Sequence, residues 1–106
     1  MIARIWHGFA TVANADKYET FLKAEFLPSI ESKHIEGYRK FQLLRKPAGD
    51  EIAFTTIMWF DSLDMVKQFA GENYEQSVVH PKAAALLSHY DHTAAHYELV
   101  HELNYV

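Results

Sequence analysis

The 106-residue sequence predicts an α+β protein of the ferredoxin-like class, with elements in the order β-α-β-β-α-β. Segments rich in β-branched and aromatic residues at 2–12, 38–46 and 51–60 have the composition of strands. Helical periodicity follows the first and the third of them, and the closing stretch is again strand-like. This order gives one four-stranded antiparallel sheet with both helices on one face.

The first strand is expected over "IARIWHGFATV" (2–12), which alternates loosely between apolar and polar residues. Asn14 or Asp16 then caps a helix. Pro28 lies inside that helix and predicts a kink or an early stop, and Gly37 ends the segment. The apolar residues of the helix recur at steps of three and four: Tyr18, Phe21, Leu22, Phe26 and Ile30.

Two further strands, "YRKFQLLRK" (38–46) and "EIAFTTIMWF" (51–60), are joined by the short hairpin connection "PAGD". Asp61 or Ser62 caps the next helix, which Gly71 ends. "NYEQSVVH" is predicted as a further helical turn or two, and Pro81 suits the first position of a short helix, with His80 before it.

The closing stretch "HTAAHYELVHEL" is predicted as the fourth strand, by elimination and by its Tyr-Glu-Leu-Val run. A strand order of 4-1-3-2 would make it the neighbour of strand one. His7 and His96 could then face each other across the ladder, because cross-strand Cβ atoms lie about 5 Å apart.

Four of the seven histidines fall within residues 86–101, which raises the question of a metal site. In a helix, His92 and His96 would share a face and could share a metal ion. In a strand, their backbones lie about 13 Å apart, too far for metal–nitrogen bonds of about 2 Å. The strand prediction therefore implies no tightly bound transition metal, and the absence of cysteine excludes thiolate ligands and disulfides.

Both faces of the third strand are apolar, yet the helices can cover only one. One set comprises Ile52, Phe54, Met58 and Phe60; the other comprises Ala53, Thr55, Ile57 and Trp59. An uncovered face of this composition exceeds what monomers usually expose. The sequence therefore predicts a homodimer that buries the second sheet face against its copy.

Composition and charge narrow the class of protein. A hydrophobic content of 49% and an aromatic content of 14% support a packed core in a single domain, 1–106. The net charge of -4, without runs of like charge, argues against nucleic acid as a partner. No secretory signal and no run of about 18 apolar residues is visible, so we expect no membrane partner and a cytoplasmic location.

"MIARIWHG", "IMWFDSLDMVKQFAGE" and the closing "HYELV" together resemble the antibiotic-biosynthesis-monooxygenase-like family over nearly the whole chain. The resemblance implies a dimeric α+β barrel. Some members of that family oxidise polycyclic aromatic substrates with O₂ and no cofactor, others bind and open haem, and many have no established reaction. The cofactor-free oxygenases use a Trp on strand three together with Asn and Arg.

The haem-degrading branch is similar in using an Asn on strand one, a Trp near the end of strand three and a His on the second helical segment. Trp59 matches the second of these, and His80 lies in the region of the third. Strand one, however, offers Trp6 and His7 where that branch has Asn. This departure counts against haem.

Three functions follow from the resemblance and the residues. The first is a cofactor-independent monooxygenase-like protein acting on a small aromatic or polyketide-type substrate; histidine suits its base because its pKa lies near neutrality. The alternatives are a haem-binding or haem-degrading protein and a non-catalytic dimer that binds a small ligand. The candidate catalytic residues are His7, Trp59, His80 and His96. Their structural alternatives are packing for Trp59, a satisfied core residue for His7 and a helix N-cap for His80.

The broken helices predict where a ligand would bind. Pro28 interrupts the first helix, while Gly71 and Pro81 divide the second helical region, and such breaks leave gaps above a sheet. We therefore expect one intramolecular pocket per subunit, with His7, Trp59 or His96 beneath it if their strand faces point that way. The alternative is that the aromatic residues close together and leave no cavity. The candidate substrate-binding residues are Tyr18, Phe21, Leu22 and Phe69.

Overall fold

The computed structural model describes residues 1–105, which form a mixed α+β fold. The strands are β1 (Ile2–Thr11), β2 (Tyr38–Ala48), β3 (Glu51–Phe60), β4 (His89–Tyr90) and β5 (Ala95–Glu98). The helices are α1 (Val12–Phe21), α2 (Leu27–Ser32), α3 (Leu63–Ala70) and α4 (Pro81–Leu86), with a π-helical turn at Leu22–Phe26 between α1 and α2.

The sheet is antiparallel and has the order β2-β3-β1-β4, with β5 also paired to β1. The predicted order 4-1-3-2 is therefore confirmed, but the predicted single fourth strand is two short pieces. The predicted pairing of His7 with His96 is wrong. His96 lies opposite Arg4 instead, because the chain leaves the ladder between β4 and β5. The backbone N–H of Asp91 donates to the His7 carbonyl.

The first helix begins earlier than expected. Thr11 is the N-cap and its hydroxyl accepts from the Asn14 N–H at 3.2 Å, so neither Asn14 nor Asp16 caps the helix. The interruption expected at Pro28 takes the form of the π-helical turn, where the Leu27 N–H donates to the Leu22 carbonyl. Pro28 then falls in the first turn of α2.

The segment between α3 and α4 is not helical, contrary to the prediction for "NYEQSVVH". Gln76 forms an isolated antiparallel bridge with Thr93, and the Ser77 N–H donates to the His92 carbonyl at 2.9 Å. These bonds tie the segment to the stretch between β4 and β5 and use the backbone groups that a helix would need. Gly71 ends α3 with a φ of 86°, as predicted for a glycine C-cap.

The helices cover one face of the sheet. On β3, Ile52, Phe54, Met58 and Phe60 are buried, and they form two adjoining core clusters with residues of the helices. The alternate residues of β3, including Ile57 and Trp59, are half-buried on the other side, which we call the open face. No helix within residues 1–105 is long and apolar enough to cross a membrane.

Candidate functional site

A pocket lies between the helix-covered face of the sheet and the helices above it. Its volume is about 50 Å³. Strands β1, β2 and β3 form its floor, and α1, the π-helical turn, α3 and the chain entering α4 form its walls. The lining residues are Arg4, Trp6, Tyr18, Leu22, Phe26, Phe41, Thr56, Met58, Phe69, Val78, Val79, His80 and Ala83.

Arg4 supplies the positive charge of this pocket. It follows the even-numbered register of β1, which points toward the helices, and only 4% of its surface is exposed. Its Nη1 donates to the Tyr74 carbonyl and its Nη2 to the Gln76 carbonyl at 3.0 Å. The guanidinium lies 5.6 Å from the ring centroid of Phe69. Burial lowers the pKa of Arg4 to about 10, so the side chain stays charged at neutral pH.

His96 supports Arg4 from the neighbouring strand β5. Its Nε2 lies 3.0 Å from Arg4 Nη1. Arginine can only donate, so Nε2 accepts and the ring proton of neutral His96 is on Nδ1. Burial and the charge of Arg4 lower the pKa of His96. The ring also packs edge-on against Tyr74, at 5.2 Å between centroids. His96 therefore holds Arg4 in place and does not line the pocket.

His80 lines the pocket and is also the N-cap of α4, as expected for its position before Pro81. Its Nδ1 accepts from the Lys82 N–H at 3.1 Å. A neutral imidazole carries one proton, so His80 presents Nε2–H, a donor. Its ring packs against Phe21, at 5.3 Å between centroids. In this arrangement His80 can donate to a ligand oxygen, whereas a base or metal ligand would need a free lone pair.

Trp6 forms an aromatic part of the pocket floor. Its Nε1 donates to the Asp91 carbonyl at 2.8 Å, which fixes the plane of the indole. The ring extends over Gly8, where an added Cβ would come within 2.7 Å of the indole. Gly8 is therefore required by this close approach, and a larger residue would push Trp6 from its position.

The four candidate substrate-binding residues lie on the helix-covered side of the sheet, but not all of them line the pocket. Tyr18, Leu22 and Phe69 line the pocket, as anticipated, whereas Phe21 lies in a separate surface groove between α1 and α4. Phe21 is itself only 6% exposed and belongs to the core cluster that includes Tyr18 and Phe54.

His7 and Trp59 lie on the open face, away from the pocket. His7 Nδ1 is 2.9 Å from Asp91 Oδ2, and Trp59 Nε1 donates to Gln42 Oε1 at 2.8 Å. The expectation that either residue lies beneath the pocket is wrong, because strand side chains alternate and odd-numbered positions of β1 and β3 face away from the helices.

Sequence reasoning missed Arg4 and Trp6 as pocket residues. Only the register of the β1–β3 ladder, which the structure gives, places both residues on the helix-covered face. Met58 belongs to the apolar set that the helices cover, and Arg4 is its partner across the β1–β3 ladder. Trp6 follows two positions later on the same face. Once the register is known, a charged residue on the helix-covered face of a central strand identifies the site.

Metal binding has no obvious place in the part of the chain that the structure describes. Within residues 1–105, no three histidine or carboxylate side chains come together as a candidate metal site. His92 packs edge-on against Tyr90 outside the strands, and His96 is engaged by Arg4. The absence of a bound transition metal stays a prediction.

No protein-family model and no curated protein sequence matches the chain. Solved structures do match. Rv0793 from Mycobacterium tuberculosis has a TM-score of 0.60 and 16% identity, over 97% of this chain and 98% of that one. A mutant of MhuD with two manganese protoporphyrin IX molecules bound per active site has a TM-score of 0.59 and 18% identity, over 98% and 99%.

At these identities the likeness is one of fold. The chain has the antibiotic-biosynthesis-monooxygenase-like, ferredoxin-like fold. This confirms the fold expected from the motifs of strands one, three and four.

Proposed function

We propose that this chain is a monooxygenase-like protein that takes a small aromatic or polyketide-type substrate into the pocket and needs no cofactor. The observation that carries the proposal is the pocket itself. Its walls are largely aromatic and aliphatic, and four of its lining residues carry polar groups: Arg4, Tyr18, Thr56 and His80. A mainly apolar cleft with a few convergent polar groups is the usual form of a small-ligand site.

Cofactor-free reaction with O₂ requires a substrate that becomes electron-rich when it loses a proton. The pocket favours such a substrate, because apolar walls exclude water and Arg4 lies beside the space where negative charge would form. His96 Nε2 accepts a hydrogen bond from Arg4, and His80 Nδ1 accepts one from the Lys82 N–H at the start of α4. Neither lone pair is therefore free to take a proton from a substrate. We therefore assign the histidines to positioning and donation, and expect an acidic substrate that ionises readily.

Haem is the alternative that the fold likeness to MhuD suggests. Haem iron is bound by histidine, cysteine, methionine or tyrosine side chains. The chain has no cysteine, and the lone pairs of His80 Nδ1 and His96 Nε2 are both occupied. Sites for drug-sized ligands measure roughly 300–1,000 Å³, and this pocket holds about 50 Å³. The pocket residues, as they are arranged, therefore do not fit haem. A Soret shift on haem titration that His80→Ala abolishes would favour this alternative.

We also propose that the protein is a homodimer in which the open faces of two copies are buried against each other. Ile57 and Trp59 are half-buried in the single chain, and Tyr97, opposite Ala3 on the same face, is 59% exposed. Covering these apolar groups with a second copy would remove a large patch from water. The pocket lies on the other side of the sheet, so each subunit would keep its own.

Oxygen uptake tests the proposal against the third possibility, a dimer that binds a ligand without reaction. Purified protein is mixed with electron-rich phenols and hydroquinones in air, and O₂ consumption and product are followed. We expect protein-dependent uptake that Val79→Phe, which fills the pocket, reduces at least tenfold. The control, Val100→Phe, changes a residue that is 88% exposed and should have no effect. Ligand binding without uptake would favour the non-catalytic alternative.

A further inference from the structure

We propose that Arg4 makes this pocket an oxyanion site, and that the ligand is a one-ring aromatic molecule bound through an acidic oxygen as its anion. This inference rests on the proposed function and specifies its substrate class. It is carried by a buried cation, by the inventory of its hydrogen bonds and by the size of the space beside it.

The three arginines of the described chain differ in how their charge is balanced. Arg39 pairs with Asp61, and Arg45 pairs with Asp16 and Glu19, all at the surface. Arg4 is buried, and within residues 1–105 no carboxylate oxygen lies within 4.0 Å of it. A buried charge is ordinarily paired, because leaving water costs it hydration energy. An anionic ligand would supply the missing partner.

Arg4 also has donors to spare. The guanidinium carries five N–H groups. Two on Nη1 are directed to the Tyr74 carbonyl and His96 Nε2, and one on Nη2 to the Gln76 carbonyl. Nε–H and the second Nη2–H are left without an acceptor among residues 1–105. Charge-assisted bonds from such groups to an oxyanion are shorter and stronger than bonds to a neutral oxygen.

The surroundings of Arg4 select the rest of the ligand. Trp6, Tyr18 and Phe69 line the pocket with flat apolar surface, so the body of the ligand is aromatic. A cavity of roughly 150 Å³ holds benzene, and this one measures about 50 Å³. Even one ring therefore requires the walls to move apart, and fused rings need a much larger opening still.

4-Nitrophenol is the probe, because its phenolate absorbs visible light and its phenol does not. The chromophore is titrated in the presence of saturating wild-type protein and compared with the free compound. We expect the phenolate to bind at least tenfold more tightly than the phenol, so that the bound chromophore ionises at least about one pH unit lower. An unchanged or raised pKa of the bound probe would overturn the inference, since an apolar pocket alone favours the neutral phenol.

Substitutions at Arg4 test whether its charge causes the shift in the pKa of the bound probe. Arg4→Met should abolish the downward shift, and Arg4→Lys should retain part of it because the cation remains. Arg39→Met removes an exposed arginine and should leave the shift intact. If Arg4→Met does not fold, because it releases three hydrogen bonds, the Arg4→Lys protein and the wild-type titration still decide. A full shift in a folded Arg4→Met protein would overturn the assignment.

A neutral analogue separates this inference from the proposed function. 4-Nitroanisole has the same ring without the acidic proton. If it binds and 4-nitrophenol shows no shift, the oxyanion site is refuted while the aromatic pocket stands. If neither compound binds, both proposals fail. If the phenolate binds as expected and no phenol in the panel consumes O₂, the oxygenase proposal fails and the oxyanion site is supported.

Discussion

The two faces of β3 have similar apolar composition and opposite fates. Ile52, Phe54, Met58 and Phe60 are at most 9% exposed beneath the helices. Ile57 and Trp59, at alternating positions, remain half-exposed on the open face. Successive side chains of a strand point to opposite faces of the sheet. The difference in exposure therefore arises because the helices cover only one face, and not because the residues differ in hydrophobicity. The helix-covered face forms the core and the floor of the pocket, whereas the open face is the surface proposed to contact a second copy of the chain.

The largest expected effect comes from the covered face. Phe54 is fully buried and packs edge-on against Tyr18, at 4.8 Å between centroids. Phe54→Ala should lower the free energy of unfolding by about 3–5 kcal/mol, because a cavity is left in the core. Thr55→Ala, the next residue along on the open face, is the control and should cost under about 1 kcal/mol. Urea denaturation measures both; equal losses would contradict the assignment of faces.

The second prediction concerns the open face in the assembly. Ile57→Glu places a carboxylate in the middle of the proposed dimer contact, where burial would deprive it of water. Sedimentation should give a dimer for the wild type at micromolar concentration and a monomer for the variant. Thr20→Glu makes the same change of charge at an exposed position of α1 and should remain dimeric. A monomeric wild-type protein would refute the dimer.

Fluorescence distinguishes the faces as ligand sites, because the sequence contains two tryptophans, one on each side of the sheet. Trp59→Phe leaves Trp6 in the pocket floor, and Trp6→Phe leaves Trp59 on the open face. Saturating 4-nitrophenol should quench most of the emission of the first variant and little of that of the second. Strong quenching of Trp59 would move the ligand to the open face.

The smallest effect is a pH dependence of stability from His96. Burial and Arg4 lower its pKa in the folded chain below the ordinary 6.5. The unfolded chain therefore binds the proton first, and stability is lost as pH falls from 6.5 through the folded pKa. The free energy of unfolding should decline there by less than about 1 kcal/mol, because the group is only partly buried.

His96→Gln tests this contribution, because its side-chain oxygen can still accept from Arg4 but carries no titrating proton. The slope of stability between pH 6.5 and pH 5 should become shallower in this variant. His101→Gln removes an exposed histidine and is the matched control. An unchanged slope in His96→Gln would contradict the assigned cause.

Much of the fold could be predicted from local patterns. β3 has the predicted bounds, 51–60, and Gly71 and Pro81 limit helices as expected. The segment from Asn73 to His80 could not be predicted, since its conformation depends on bonds to Arg4 and His92 from distant parts of the chain. The same holds for the break between β4 and β5. Hydrogen bonds between such remote residues leave no periodic signal.

The sequence predicted where the pocket lies, but not which polar residues line it. Helix interruptions indicated a pocket between helices and sheet, and Tyr18, Leu22 and Phe69 do line one. His80 was placed as an N-cap by its position before Pro81, and its cap bond then decides which ring nitrogen donates. His7 and Trp59 were favoured by residue type, yet their strand positions turn them away.

The sequence by itself determined the order of elements, the two apolar faces of β3 and the apolar character of the helices, because each is a matter of periodicity within a few residues. Only the tertiary structure decided which face the helices cover. That choice depends on the register between β1 and β3, a contact between residues about fifty positions apart. The register buries Arg4 with Met58, and so turns an ordinary arginine on a strand into the charge of the pocket.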